Sequence, residues 1–104
     1  MLPHHSSYET MYRHFRWPVP EHYNIGVDVC DKWAGDANRL ALISQSRDGN
    51  VTRYTFSQIQ RLSNRVANLL TSHGVTRGDR VGILLPQAPE TAIAHVAVYI
   101  QRQP

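Results

Sequence analysis

The feature that most constrains this chain is a β–α pair placed so close to its end that a parallel sheet has no room to close. Arg80-Val81-Gly82-Ile83-Leu84-Leu85 reads as a buried strand, and Pro89 through Ile100 reads as the apolar helix that follows. A crossover of this kind delivers the chain to a second, parallel strand beside the first. Only Gln101-Arg102-Gln103-Pro104 follow, too polar and too few to supply it. The expectation is therefore the opening of a larger α/β protein. Its last helix, apolar almost all round, belongs against several neighbours at once.

Composition narrows the class. A length of 104 residues allows one domain at most, and 41% hydrophobic with 18% charged residues fits a globular chain, not a disordered one. Cys30 is the only cysteine, which rules out an internal disulfide and suits a reducing compartment. No apolar run approaches the length of a membrane span, and the first twenty residues lack the apolar stretch of a secretory signal. Arg13 and Arg16 against a lone Glu9 hint at an organelle transit peptide, but that segment holds three prolines and no helical stripe, so a cytoplasmic location is expected. The net charge of +3 invites a nucleic-acid reading. The arginines are scattered instead of forming a dense basic run, so no nucleic-acid partner is expected.

Local signals divide the chain further. Residues 1–22, broken by Pro3, Pro18 and Pro20, read as an extended arm. Asn24 can cap a short helix from Ile25 to about Ala34, with Ile25, Val29 and Trp33 as its apolar stripe and Gly35-Asp36 as its stop. Arg39 to Gln45 and Val51 to Tyr54 read as the arms of a hairpin around Arg47-Asp48-Gly49-Asn50. The strongest element is a helix from Phe56 to His73. Thr55 and Gln58 make its capping box and Gly74 its C-terminal stop, while Phe56, Ile59, Leu62, Val66, Leu69 and Leu70 share one face. Gly78-Asp79 turns the chain into the strand, and Pro89 opens the last helix.

The ordered series of these segments resembles a known family. Tyr54-Thr55-Phe56-Ser57-Gln58-Ile59, Arg65-Val66-Ala67-Asn68-Leu69-Leu70, Gly74-Val75, and Gly78-Asp79-Arg80 through Pro86-Gln87 are similar to the opening of the adenylate-forming (AMP-binding) synthetases. Tyr23-Asn24-Ile25-Gly26-Val27-Asp28-Val29-Cys30-Asp31-Lys32-Trp33 resembles the lead-in of acetyl-CoA synthetase-like and medium-chain acyl-CoA synthetase members. The likeness runs from about Tyr23 to Tyr99. It implies that residues 23–104 are a partial N-terminal piece of the large domain. For the whole enzyme it implies ATP, magnesium and coenzyme A as cofactors and a carboxylic acid as substrate, in a two-step ligase of fatty acid metabolism. That chemistry needs a Gly/Ser/Thr-rich phosphate loop and a lysine to meet developing negative charge. The chain has no such loop, and its single lysine is Lys32 in the upstream helix. No catalytic, cofactor-binding or metal residue is assigned, and the chain alone is expected to be inactive. After Tyr99 the pattern departs from the Lys-Leu-Gly-Ala type turn of relatives. The change to Ile100-Gln101-Arg102-Gln103-Pro104 is of the kind a frameshift, premature stop or gene-model error produces.

Residue types that could carry chemistry have simpler readings. His4, His5, His14 and His22 match no zinc-ligand spacing and read as a solvated arm. His95 reads as a core histidine bonded to backbone, and Asp28 with Asp31 as solvent-facing carboxylates. Cys30 lacks an adjacent base and is expected to be buried beside Trp33. Arg61 and Arg65 read as a solvated helix face. Beside the synthetase reading stand two others: a small interaction module that docks through an exposed sheet edge and the apolar last helix, and, more weakly, a nucleic-acid binder.

Overall fold

Helix α3, Phe56–Ser72, organises the rest of the molecule in the computed structural model, which describes residue 4 and residues 6–101. Before it come α1 (Tyr8–His14), α2 (Ile25–Val29), a 3-10 turn (Asp31–Trp33), and strands β1 (Leu40–Gln45) and β2 (Val51–Thr55); after it comes α4 (Pro89–Ile100). The capping box forms as expected. The Gln58 backbone N–H donates to Thr55 Oγ1 at 3.2 Å, and the Thr55 N–H donates to Gln58 Oε1 at 2.8 Å. At the other end Val75 N–H reaches Leu70 C=O and Gly74 N–H reaches Thr71 C=O, with Gly74 left-handed at φ 85°. These two bonds satisfy carbonyls the helix leaves open.

The hairpin forms with β1 antiparallel to β2. Ser46 N–H donates to Asn50 C=O and Gly49 N–H to Ser46 C=O, each at 2.9 Å, and Gly49 takes the positive φ (89°) that closes the loop. A bulge between Leu40 and Leu42 interrupts the ladder. It lets the consecutive residues Ala41 and Leu42 both pack on the core, which strict alternation forbids.

Helices α3 and α4 pack extensively against each other. Small side chains make that close approach possible: Ser63 and Ala67 of α3 and Ala97 of α4 are buried. The Ser63 hydroxyl donates to the Ile59 carbonyl one turn back, so its burial leaves no donor open. The apolar stripe of α3 is therefore centred on Ile59, Ser63 and Ala67, with Phe56, Leu62 and Val66 flanking it. Leu69, expected on the buried face, is instead 57% exposed, because it stands two residues past Ala67, roughly 200° around the helix from that line.

Three further expectations are corrected. The arm holds a helix, α1, capped by Ser7 and bracketed rather than broken by its prolines, with Glu9 in the first turn and Arg13 and His14 in the last. None of its residues is buried. The segment 25–34 is two pieces, and α2 buries Gly26 and Cys30 where Ile25 and Val29 were expected. Gly26 is the reason: a Cβ built there would sit 2.9 Å from Ile100 Cγ1, so α2 lies against α4 along its glycine side. Residues 80–85 are not a ladder strand, since the described sheet has two strands and no third segment lies alongside them to bond. Pro3, His5 and the divergent residues 102–104 lie outside the described residues.

Candidate functional site

The open segment 80–85 keeps the alternation of a strand without the hydrogen bonds of one. Val81 and Ile83 are half-buried, while Gly82 is exposed and Leu84 is 99% exposed. The segment lines an apolar cleft of about 260 Å³ with Val66 and Leu70 of α3 and Ala94 and Val98 of α4. All of Val81 to Leu85 border this cleft, and Leu84 and Leu85 are both exposed. Thr91 Oγ1 donates to the Pro86 carbonyl at 2.7 Å and ties the end of the segment to the first turn of α4, where Pro89 sits.

Cys30 sits at the centre of the core with Ile59 and Ile93, 1% exposed. Its Sγ approaches the Phe56 carbonyl at 3.7 Å. Burial, with a smaller contribution from the charge of Asp31, pushes the thiol up to about 11. Burial of Cys30 is as expected from the sequence, and a protonated, enclosed thiol is a poor nucleophile. Trp33 donates from its ring nitrogen to the Asp28 carbonyl at 3.2 Å, and the Arg39 guanidinium lies 4.1 Å from its ring centroid.

Asp28 gathers the polar contacts on this side. It accepts from Lys32, one turn on, and from the Tyr23 hydroxyl at 2.6 Å. Lys32 and then Tyr23 hold its carboxyl below the usual range, and the same hydrogen bond holds the Tyr23 phenol above its usual value. Asp31, expected to face solvent, is half-buried, and its Oδ1 is enclosed without a hydrogen-bond partner. Asp28, expected to face solvent as well, is likewise half-buried.

The other candidates stay apart. His4, His14 and His22 are exposed, and His14 Nδ1 lies 2.9 Å from the Thr10 carbonyl. His95 is exposed on α4 and leans toward Tyr99, so it is not the core histidine expected; Ile93 and Ala97 occupy the buried face. Arg61 and Arg65 are exposed as expected, along a shallow groove with Tyr54, Gln58 and Leu62. Among the described residues no three His, Cys, Asp or Glu side chains come together as a metal site. The single lysine, Lys32, is engaged by Asp28 and lies over the Trp33 ring.

Comparison with known proteins decides the family. The model of the family described as AMP-binding enzyme matches residues 30–101. This chain belongs to that family. It is 36% identical over 99 residues to the mitochondrial acyl-coenzyme A synthetase ACSM3 of Rattus norvegicus, covering 88% of this chain and 17% of the rat protein. It is also 36% identical over 86 residues to the acetyl-coenzyme A synthetase of Deinococcus radiodurans, covering 81% of this chain and 13% of that one. Among solved structures, the acyl-CoA synthetase of Brucella canis superposes with a TM-score of 0.83 at 28% identity, over 91% of this chain and 19% of its own. The chain thus spans about a sixth of the rat relative's length. The resemblance read from Tyr23 to Tyr99 is borne out, as is the incomplete α/β fold. Among the described residues no helix is long and apolar enough to cross a membrane.

The sequence reading missed Gly26 and Ser63, which position the elements around the cleft. The available signal was their spacing: Gly26 lies four residues before Cys30, and Ser63 lies between Ile59 and Ala67 at steps of four.

Proposed function

We propose that this chain forms the N-terminal portion of the large domain of an acid:CoA ligase, a scaffold for chemistry carried by the rest of that domain. Residues 1–22 serve as an arm and residues 23–104 as the partial domain. The observation that carries this reading is the family match over residues 30–101 together with the Brucella canis superposition. For the whole enzyme the reading is activation of a carboxylic acid with ATP and magnesium, followed by transfer of the acyl group to coenzyme A, in fatty acid metabolism. Alone, the chain is catalytically silent, since its residues offer no cradle for a triphosphate. The free, buried Cys30 accords with a reducing compartment, which we take to be the cytoplasm.

The test is a graft. Residues 6–101, placed in the rat synthetase in exchange for the segment they match, should retain acid-dependent exchange of labelled pyrophosphate into ATP. The chain by itself, given ATP, magnesium and acetate or longer acids, should show none above an enzyme-free blank. A folded but inactive graft, or exchange by the chain alone, contradicts the reading. The exposure of Leu84 gives the interaction-module reading a specific observation.

A further inference from the structure

We infer that the groove along the outer side of α3, floored by Tyr54 and Leu62 and edged by Gln58, Arg61 and Arg65, docks an acidic, extended peptide segment of a partner protein. Such a site lies outside the ligase reading and does not depend on it.

The charge on α3 is the first observation. Its 17 residues include two arginines and no Asp or Glu. Arg61 and Arg65 stand four apart, so they are neighbours on the helix surface and repel each other. An acid three or four residues from either would turn that small cost into a gain, yet no such position carries one. Both side chains are exposed. Among the described residues neither is paired with a carboxylate, and the ion pair present joins Lys32 to Asp28 instead.

The groove supplies the rest. It holds about 330 Å³, and no acidic residue lines it. The Gln58 side-chain oxygen accepts from the Thr55 N–H in the capping box, which leaves its amide N–H groups for a ligand. Tyr54 and Leu62 also pack against the core, so the floor is held in place. The Tyr54 phenol adds a further donor at the Gln58 end.

Charge complementarity selects an anion, and the shape selects a peptide. Four residues of helix separate the two arginines by about 6 Å along the axis. Side chains two residues apart on an extended segment point the same way at a spacing of about 6.6–6.8 Å. Two carboxylates so placed can each meet one guanidinium fork. An apolar residue two further on then reaches Leu62 and the Tyr54 ring. A small molecule is normally enclosed over most of its surface, whereas this groove is shallow and follows the helix. A nucleic-acid backbone calls for a longer basic track than two arginines.

The experiment titrates a fluorescein-labelled Glu-Ser-Glu-Ser-Leu peptide with the 104-residue chain and follows anisotropy. Saturable binding is expected, weakened by added salt. Arg61→Gln and Arg65→Gln should each weaken it by about fivefold or more, and the double variant should abolish it. All three replace exposed side chains and should keep the parent's thermal midpoint. Arg53→Gln removes the same charge from an exposed position outside the groove and should change binding by less than about twofold. Should a variant unfold, a Lys-Ser-Lys-Ser-Leu peptide, expected not to bind, still tests the charge requirement. The rat synthetase carrying residues 6–101 should also bind the acidic peptide, and lose it with both arginines replaced. The proposal is overturned by absent or non-saturable binding, by equal loss with Arg53→Gln, or by equal binding of the lysine peptide. Tighter binding of a single-stranded oligonucleotide, or displacement by inorganic phosphate at the peptide's own concentration, overturns it too. So does an active graft that cannot bind the peptide, which would show the groove filled within the enzyme. An inactive graft that still binds it overturns the ligase reading and leaves the docking site standing.

Discussion

Replacing Gly26 by alanine sets two opposed effects against each other, and the structure gives their sizes. Alanine favours an α-helix over glycine by about 0.8–1 kcal/mol. The added Cβ, however, would stand 2.9 Å from Ile100 Cγ1 and 3.2 Å from the Ile100 backbone nitrogen. Carbon pairs rest at roughly 3.5–4.0 Å, so α2 and α4 must part or Ile100 must shift. The isoleucine side chain can rotate, but its backbone nitrogen belongs to the last turn of α4 and moves only with the helix. Overpacking of this kind costs about 1–3 kcal/mol, which outweighs the helical gain. We expect Gly26→Ala to destabilise the chain by about 1 kcal/mol net, equivalent to about 4–8 °C in a domain this small. Urea unfolding followed by the fluorescence of Trp33, which packs near Phe56, reads the change. Gly35→Ala is the control: its Cβ meets nothing within 4 Å, and it should raise stability by about 0.4–1 kcal/mol through the unfolded state. A Gly26→Ala chain more stable than the parent would refute the close approach of α2 to α4.

Other expectations follow from the same geometry. Cys30, with its thiol raised from 9.0 to about 11 and almost no exposed surface, should react with iodoacetamide at pH 8 at least about a hundredfold more slowly in the native chain than in urea. Equal rates would contradict its burial. At the hairpin, the Ser46 hydroxyl and then the Asn50 backbone N–H hold the Asp48 carboxyl below its ordinary value. A carboxyl lowered on folding adds stability above its unfolded pKa, and that stability is lost as the pH falls through the folded one. Asp48→Asn should therefore flatten the acid limb of the stability curve below about pH 4 while leaving the slope above pH 6 unchanged. Identical acid limbs in urea titrations of the two proteins would count against the turn contacts.

Much of this fold was legible because local chemistry and tertiary packing agree. Thr55 and Gln58 cap α3 from both sides, Asp48-Gly49 closes the hairpin, and Pro89 starts α4, each where its residue type predisposes it to act. The misreadings share a cause, which is that large apolar residues draw attention away from small ones. The stripe through Ile25, Val29 and Trp33 looks like a core face, yet α2 turns Gly26 and Cys30 inward because only a glycine permits the approach of Ile100. Leu69 loses its place to Ser63 and Ala67 for the same steric reason at the crossing of α3 and α4. The α1 helix escaped notice because nothing on it is buried, leaving caps and charges without an apolar stripe to mark it. Residues 80–85 show the converse case: the pattern of a strand is all there, but a ladder is a property of two segments, and the second is not among those described.

The measurement that bears most directly on this account is residue-resolved amide hydrogen exchange on the monomeric chain. Amides of α3 and α4 near Ser63, Ala67, Ile93 and Ala97 should be the most protected, since they lie in the packed core. Those of Val81 to Leu85 should exchange at the rate of an open chain, because no ladder holds them. Slow exchange across 81–85 in the monomer would show that the strand has found a partner within the chain, and the open-strand account would be wrong.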